Sequence, residues 1–320
     1  MIKYGVIGSG WIAEEFIKGA NLVDGLVFSA MYSRKFEKGK AFAEKFADVP
    51  VYTDINDFAK SDIDAVYIAS PNSLHYSQSK LMLENGKHVL CEKPITVLPE
   101  EFVELSELAE SKGLVYTEAI MMLHLPQRKI IKEKLKSLGK ISMAHFDFSQ
   151  LSSKYPALIR GENPNIFNPE MKTGCLRDLG IYCFYPALDF FGKPEKIISS
   201  AGFLSTGADG YGSAILDYAD KQVTLTYSKI GQDFSGSQII GDKGTMTIGS
   251  VSKLTDIVIH YNDGSTEKVY SDVEKHILMS AEAKDFSDYI LGKKTEAEIN
   301  SIILSVLNAM NTVIKQCNII

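Results

Sequence analysis

Short apolar runs rich in β-branched residues alternate with stretches of helical period over residues 1–117. A run at 2–7 opens the chain, and helical spacing follows at once through Ile12, Phe16 and Ile17. Strand-like segments at 26–32, 50–52, 64–70, from His88, and at 114–117 are separated by helical ones at 36–46, 73–84 and 99–112. In the last of these Phe102, Leu105 and Leu108 fall at helical spacing, with acids early in the segment as the helix dipole prefers. Strands and helices in strict alternation predict a doubly wound parallel sheet with helices on both faces, an α/β fold.

After Glu118 the pattern changes. A helix near 127–136 ends at Gly139, and a strand at 140–149 follows. Residues 151–173 are irregular and contain Pro156, Pro164 and Pro169; a loop of that length reads as a lid, a binding loop or disorder. From 195 to 270 strands are separated by turn signals such as Ala208-Asp209-Gly210 and Asn262-Asp263-Gly264, which predicts one antiparallel sheet. Helices near 273–291 and 296–316 close the chain. The expected division is a Rossmann-type dinucleotide-binding domain at 1–119 and a second, substrate-binding domain at 120–320.

Gly8-Ser9-Gly10-Trp11-Ile12-Ala13 lies between the first strand and the first helix, the context a dinucleotide fingerprint requires, with Ala13 in the third glycine's place. Gly8 makes the tight turn, Gly10 lets main-chain N–H groups approach a pyrophosphate, and Ala13 keeps helix and strand close. The helix amino terminus then faces the phosphates with its partial positive charge. The second strand ends in Ser33-Arg34-Lys35, with no acid between Phe28 and Phe36. An NAD site usually presents a carboxylate there to the ribose 2′-OH, whereas a hydroxyl and two cations suit the 2′-phosphate of NADP. NADP is therefore the expected cofactor, NAD a possible one, and Lys35 reads equally as the solvated start of a helix.

Glu92-Lys93-Pro94 ends the fifth strand-like segment. Pro94 lacks an N–H and restricts Lys93 to extended geometry, and ligands of doubly wound sheets bind outside the carboxyl ends of strands. A lysine fixed there can act on a bound small molecule; the plainer alternative is a surface lysine before a turn. Farther on, residues 174–182 read as a helix that puts Asp178 and Tyr182, at i and i+4, on one face. A carboxylate and a phenol can together move a proton if a cation such as Lys93 draws the phenol toward neutrality. Taken singly, Asp178 reads as a helix cap and Tyr182 as a core aromatic.

Composition changes this picture little. At 320 residues, with 45% apolar and 23% charged residues, the chain suits a two-domain soluble enzyme without a membrane span. A net charge of −6 argues against a nucleic-acid partner. Met1-Ile2-Lys3-Tyr4-Gly5 leaves no room for a signal peptide, and four scattered cysteines suit reduced thiols, so a cytoplasmic location is expected. Neither the cysteines nor the six histidines show metal-ligand spacing, and no metal is expected.

Gly-x-Gly-Trp-Ile-Ala, Ser33-Arg34, Ser70-Pro71-Asn72-x-x-His75, Glu92-Lys93-Pro94, Glu118-Ala119 and Asp178-x-x-x-Tyr182 occur in that order. In this the chain resembles, over essentially its whole length, the glucose–fructose oxidoreductase/inositol dehydrogenase/MocA (Gfo/Idh/MocA) family. Within the family it looks most like the dihydrodiol dehydrogenase and NADP-dependent xylose dehydrogenase branch. The resemblance implies a Rossmann domain followed by an α/β domain whose large, mostly antiparallel open sheet often forms a dimer face, giving a homodimer or a dimer of dimers. It implies hydride transfer between nicotinamide C4 and a sugar or polyol carbon, with Lys93, Tyr182 and Asp178 as the acid–base set. It places Ser70, Pro71, Asn72 and His75 near the nicotinamide ribose and substrate mouth, although His75 reads equally as a satisfied surface histidine. Glu92 would position backbone or ribose hydroxyls and Glu118 the carboxamide side, with His124 a weaker candidate, and the Lys93–Pro94 bond is often cis in such proteins. Tyr182 departs from the polyol dehydrogenases, which carry histidine there, and Arg177 is an unusual charge beside the acid. Two other functions fit the same resemblance: a non-catalytic NADP or sugar sensor, and an enzyme that holds its cofactor throughout turnover.

Overall fold

The computed structural model describes residues 1–270 and 273–320. Six strands, β1 (Ile2–Ile7), β2 (Leu26–Tyr32), β3 (Val51–Tyr52), β4 (Ala65–Ile68), β5 (His88–Glu92) and β6 (Tyr116–Ala119), form a parallel sheet in the order β3-β2-β1-β4-β5-β6. Helices α1 (Trp11–Ala20), α2 (Phe36–Ala43), α3 (Ile55–Ala59), α4 (Asn72–Glu84) and α5 (Pro99–Ser111) connect them. The four residues of β4 are all buried, as expected of a strand covered on both faces. Strand order reverses between β1 and β4, which opens a crevice beyond their carboxyl ends. The short helix α3 escapes periodicity, being little more than a turn. Its start is fixed by Asp54, whose carboxylate accepts the N–H groups of Asn56 (2.7 Å) and Asp57 (3.2 Å).

The chain then runs through α6 (Pro126–Lys134) and a 3₁₀ turn that Gly139 ends at φ 75°. Strand β7 (Ile141–Ser149) follows, and the irregular segment after it contains a short α-helix, α7 (Tyr155–Ile159), and two 3₁₀ turns, Asn165–Phe167 and Pro169–Met171. Leu176–Gly180 form a turn of π-helix that leads into α8 (Ile181–Phe191). The remaining strands are β8 (Lys196–Phe203), β9 (Asp209–Tyr218), β10 (Lys221–Ser228), β11 (Ser237–Gly241), β12 (Gly244–Ser250), β13 (Thr255–Tyr261) and β14 (Thr266–Tyr270). With β7 they make an eight-stranded sheet, β14-β13-β12-β11-β7-β10-β9-β8. All its pairs are antiparallel except β7 with β10. Period-two alternation sorts its faces: Ala144, Phe146, Val223 and Leu225 are buried beside α8, while Met143, Ile198 and Tyr211 are exposed.

The turn expected at Ala208-Asp209-Gly210 lies a little earlier. Gly207, at φ 85°, makes it, closed by Leu204 N–H to the Ala208 carbonyl at 2.8 Å, and Asp209 already belongs to β9. Asp209 is buried because its carboxylate accepts the Leu176 N–H at 2.6 Å.

Helices α9 (Lys275–Ile290) and α10 (Ala297–Cys317) complete the chain. One stripe of α10 is buried through Ile299, Ile303, Val306, Met310 and Val313. The chain forms two compact units, Met1–His124 with Glu274–Ser301, and Leu125–Val273 with Ile302–Ile320. The first segment of the first unit thus runs to His124, a few residues past the expected division at 119/120, and the chain returns to that unit with α9. Helix α9 lies along α1, where Gly19 permits the approach; a Cβ there would stand 2.8 Å from the His276 carbonyl oxygen. An apolar stripe announces that a helix has a buried face but not which sheet's layer receives it.

Candidate functional site

In the first unit the fingerprint is built as a cradle. Gly8 has φ +112°, and a Cβ on it would lie 2.3 Å from the Ala69 oxygen at the end of β4, so only glycine fits. Gly10 precedes α1, and a Cβ on it would meet nothing within 4 Å. The space in front of the helix amino terminus is open, which fits a dinucleotide pyrophosphate held by main-chain N–H groups. Ala13 is fully buried beneath, Ser9 and Ile12 are half-buried, and Trp11 is exposed with the Lys275 ammonium 4.5 Å from its ring centre. Lys275 stands on α9, so periodicity around the fingerprint gives no sign of it.

At the end of β2, the Ser33 hydroxyl donates to the Lys35 carbonyl at 2.9 Å, and Gly39 packs against it. Arg34 is exposed and forms no ion pair among the described residues. Its guanidinium is available to a phosphate.

The loop after β5 is held from three sides. The Glu92 carboxylate accepts the Tyr67 hydroxyl and, at 3.2 Å, the Lys93 N–H. Tyr67 itself stacks on Phe16 of α1 with ring centres 3.7 Å apart. Glu118 is completely buried and accepts the Ile95 N–H at 2.7 Å. His75 faces the Pro94 carbonyl through Nδ1 and the Ser70 carbonyl through Nε2, both at 2.8 Å. The Lys93–Pro94 bond is cis, and half-buried Lys93 stands between these tethers.

This geometry revises several expectations. His75 is 1% exposed, so it is not a surface histidine, and a carbonyl lies 2.8 Å from each of its nitrogens, of which the neutral ring can donate to one. Burial draws its pKa down, outweighing the two carbonyls, and the Lys93 charge adds to the effect. Glu118 also holds the loop, through the Ile95 N–H. Glu92 positions backbone. Tyr67 was not singled out, because a tyrosine in a buried strand gives no signal of its own. Ser70, Pro71 and Asn72 remain half-buried at the carboxyl end of β4, where the Ser70 hydroxyl donates to Gln78 at 2.7 Å. His124 is tied to Asp285 at 3.0 Å within the first unit.

A further carboxyl belongs to this neighbourhood. Glu282 of α9 is 1% exposed, and its Oε1 has no hydrogen-bond partner among the described residues. Burial, reinforced by the Glu92 charge, pushes its pKa well above the ordinary carboxyl value.

In the second unit Asp178 lies in the π turn, not in an α-helix, so the i, i+4 argument for a shared face with Tyr182 does not apply as stated. Pro186, inside α8, cannot donate to the Tyr182 carbonyl, and Gly174 at φ +121° sits where a Cβ would lie 2.0 Å from Asp209 Oδ1. The turn is therefore shaped by its flanks. Asp178 Oδ2 pairs with the Lys229 ammonium at 2.9 Å. Tyr182 is half-buried, its ring edge-on to Phe148 at 5.3 Å. Arg177 is buried and donates to the Ile320 main-chain oxygen at 2.9 Å.

Comparison with known proteins agrees with both units. Residues 2–120 match the oxidoreductase family with an NAD-binding Rossmann fold, and 128–247 match the Gfo/Idh/MocA carboxy-terminal domain. A scyllo-inositol 2-dehydrogenase (NADP(+)) of Bacillus subtilis is 36% identical over 97% of this chain and 94% of its own. A trans-1,2-dihydrobenzene-1,2-diol dehydrogenase of Mus musculus is 29% identical over 81% of this chain and 78% of its own. A 3-ketoreductase from Actinomadura kijaniata, solved with NADP and TDP-benzene, superposes with a TM-score of 0.87 at 22% identity, covering 99% of this chain and 98% of its own, and so shares the fold. With both halves matched in order, and more than a third of residues shared with a relative across nearly the full length, the chain belongs to the Gfo/Idh/MocA family of oxidoreductases.

Proposed function

We propose that the protein is an NADP-dependent dehydrogenase or reductase acting on an alcohol or carbonyl carbon of a sugar or polyol, with Lys93, Tyr182 and Asp178 as its acid–base set. The observation that carries this reading is the fixation of Lys93 at the carboxyl end of β5, by Glu92, His75 and Glu118, beside a loop shaped for a dinucleotide. The names of the inositol and dihydrodiol relatives support the substrate class.

The bound nicotinamide supplies a hydride acceptor or donor. Main-chain N–H groups at Gly8–Trp11 would hold the pyrophosphate, and Ser33 with Arg34 the 2′-phosphate. In this reading Lys93 would donate a hydrogen bond to the reacting oxygen, Tyr182 would carry the proton, and Asp178 would accept from a substrate hydroxyl. Lys93 comes from the first unit and the other two from the second, so their cooperation is a matter for kinetics. Tyr182→Phe and Lys93→Met should each lower turnover by ~10²-fold or more. If they act together, the double variant loses no more than either single one; multiplying losses would refute a shared step. A sensor would bind NADP with no turnover on any sugar or polyol, and an enzyme that retains its cofactor would release no NADPH.

We further propose a homodimer through the open face of the eight-stranded sheet, which presents Met143, Ile198 and Tyr211. Light scattering should show a dimer that Ile198→Asp converts to monomer. All four cysteines are unpaired, three of them buried, which supports a reducing, cytoplasmic setting.

A further inference from the structure

Lys229 lies just past β10, and its side chain is only 1% exposed. A buried ammonium needs a compensating partner, and here the partner is Asp178, whose side chain is 33% exposed. One member of the pair is thus sealed inside the second unit while the other reaches its surface. The same ammonium stands 3.3 Å from the Ile166 carbonyl and 5.6 Å from the centre of the Phe167 ring, which is itself fully buried. Its backbone is fixed as well. The Lys229 N–H donates to the Gly210 carbonyl, and its carbonyl accepts the Ser152 N–H, both at 2.9 Å. Lys229 therefore joins three things: the strand it follows, the irregular segment at 151–173, and the carboxylate of the π turn.

We propose that Lys229 is a positioning residue that orients Asp178 and, through Ile166 and Phe167, makes the placement of the 151–173 segment and of that carboxylate a single event. Asp178 lies in a π turn, and the Lys229 ammonium reaches its carboxylate from inside the second unit. The segment it is coupled to contains Asn163, Asn165 and Asn168, side chains suited to hydroxyl-rich ligands. The inference rests on the reading of Asp178 as part of the acid–base set.

The test compares Asp178→Asn, Lys229→Gln and the double variant in turnover of a polyol with NADP, with NADP affinity followed by the fluorescence of Trp11. Lys229→Gln retains a donor for Ile166 but no charge. The expected result is that Asp178→Asn and Lys229→Gln each lower kcat by ~10²-fold, leave NADP affinity within twofold, and cost no more together than Asp178→Asn alone. A structural role alone would lower thermal stability and multiply with the Asp178 loss, and either normal kcat in Lys229→Gln or multiplying losses overturns the inference while the acid–base reading stands. Normal kcat in Asp178→Asn removes that reading and the inference with it. Where Lys229→Gln fails to fold, the double variant, which leaves no buried charge alone, must match Asp178→Asn, and a further drop overturns the proposal.

Discussion

Replacing Arg34 by alanine isolates the cofactor's 2′-phosphate from the rest of the site. Arg34 is exposed and has no ion-pair partner among the described residues, so its removal breaks nothing in the fold. Whatever changes is interaction with ligand. A charge-assisted hydrogen bond contributes ~1.5–3 kcal/mol, and an exposed site belongs at the lower end. One or two such bonds at that end correspond to about tenfold to a hundredfold in affinity, at about 1.4 kcal/mol per tenfold. NAD, with a hydroxyl in place of the phosphate, should lose almost nothing. The chain supplies its own assay: it has one tryptophan, Trp11, 65% exposed and in the fingerprint loop. Titrations of wild type and Arg34→Ala with each cofactor should show NADP weakened by about tenfold to a hundredfold and NAD by less than about twofold. Raising salt toward 1 M, where the screening length falls to about 3 Å, should shrink the wild-type preference. Tighter binding of NAD than NADP by wild type, or equal losses for both in the variant, would refute the argument.

Three further outcomes are expected. Gly10→Ala should fold with an unchanged melting temperature, since its Cβ meets nothing within 4 Å, yet bind NADP at least ~10-fold more weakly because the methyl enters the phosphate space; unchanged binding would show that the pyrophosphate lies elsewhere. Gly8→Ala should instead lose stability by more than ~1 kcal/mol, read as a lowered denaturation midpoint, because φ +112° and the Ala69 carbonyl leave no room. Glu282→Gln should stabilise the protein, and more so at pH 8 than at pH 5. The folded carboxyl titrates above the unfolded one, so its stabilising contribution is complete at low pH and is lost as pH rises above the ordinary value of 4.5 toward the raised one, by up to about 1.4 kcal/mol per pH unit. Equal melting temperatures of variant and wild type at both pH values would contradict that assignment.

What the sequence discloses here is what local pattern can carry. The fingerprint glycines, the strand–helix alternation and the Glu92-Lys93-Pro94 loop are each contained in a few consecutive residues, and they lie where expected. Relations across long separations were not legible. Nothing near Trp11 announces Lys275, and nothing near Asp178 announces Lys229. The parallel pairing of β7 with β10 cannot be read from turn signals, which report only neighbours. Asp209 illustrates the converse, because Asp-Gly reads as a turn locally while the Leu176 N–H claims the carboxylate for the core. His75 and Glu118 were found by resemblance, and what the sequence could not show is their local partners: the Pro94 and Ser70 carbonyls for His75 and the Ile95 N–H for Glu118.

The most direct test is turnover by wild type and Lys93→Met with NADP and a panel of inositols, pentoses and hexoses, alongside NADP titration of both proteins. The account predicts that wild type forms NADPH with at least one polyol or sugar, and that Lys93→Met binds NADP within about twofold of wild type while turning over ~10²-fold more slowly or worse. Full turnover in Lys93→Met, or tight NADP binding by wild type with no hydride transfer to or from any member of the panel, would contradict it.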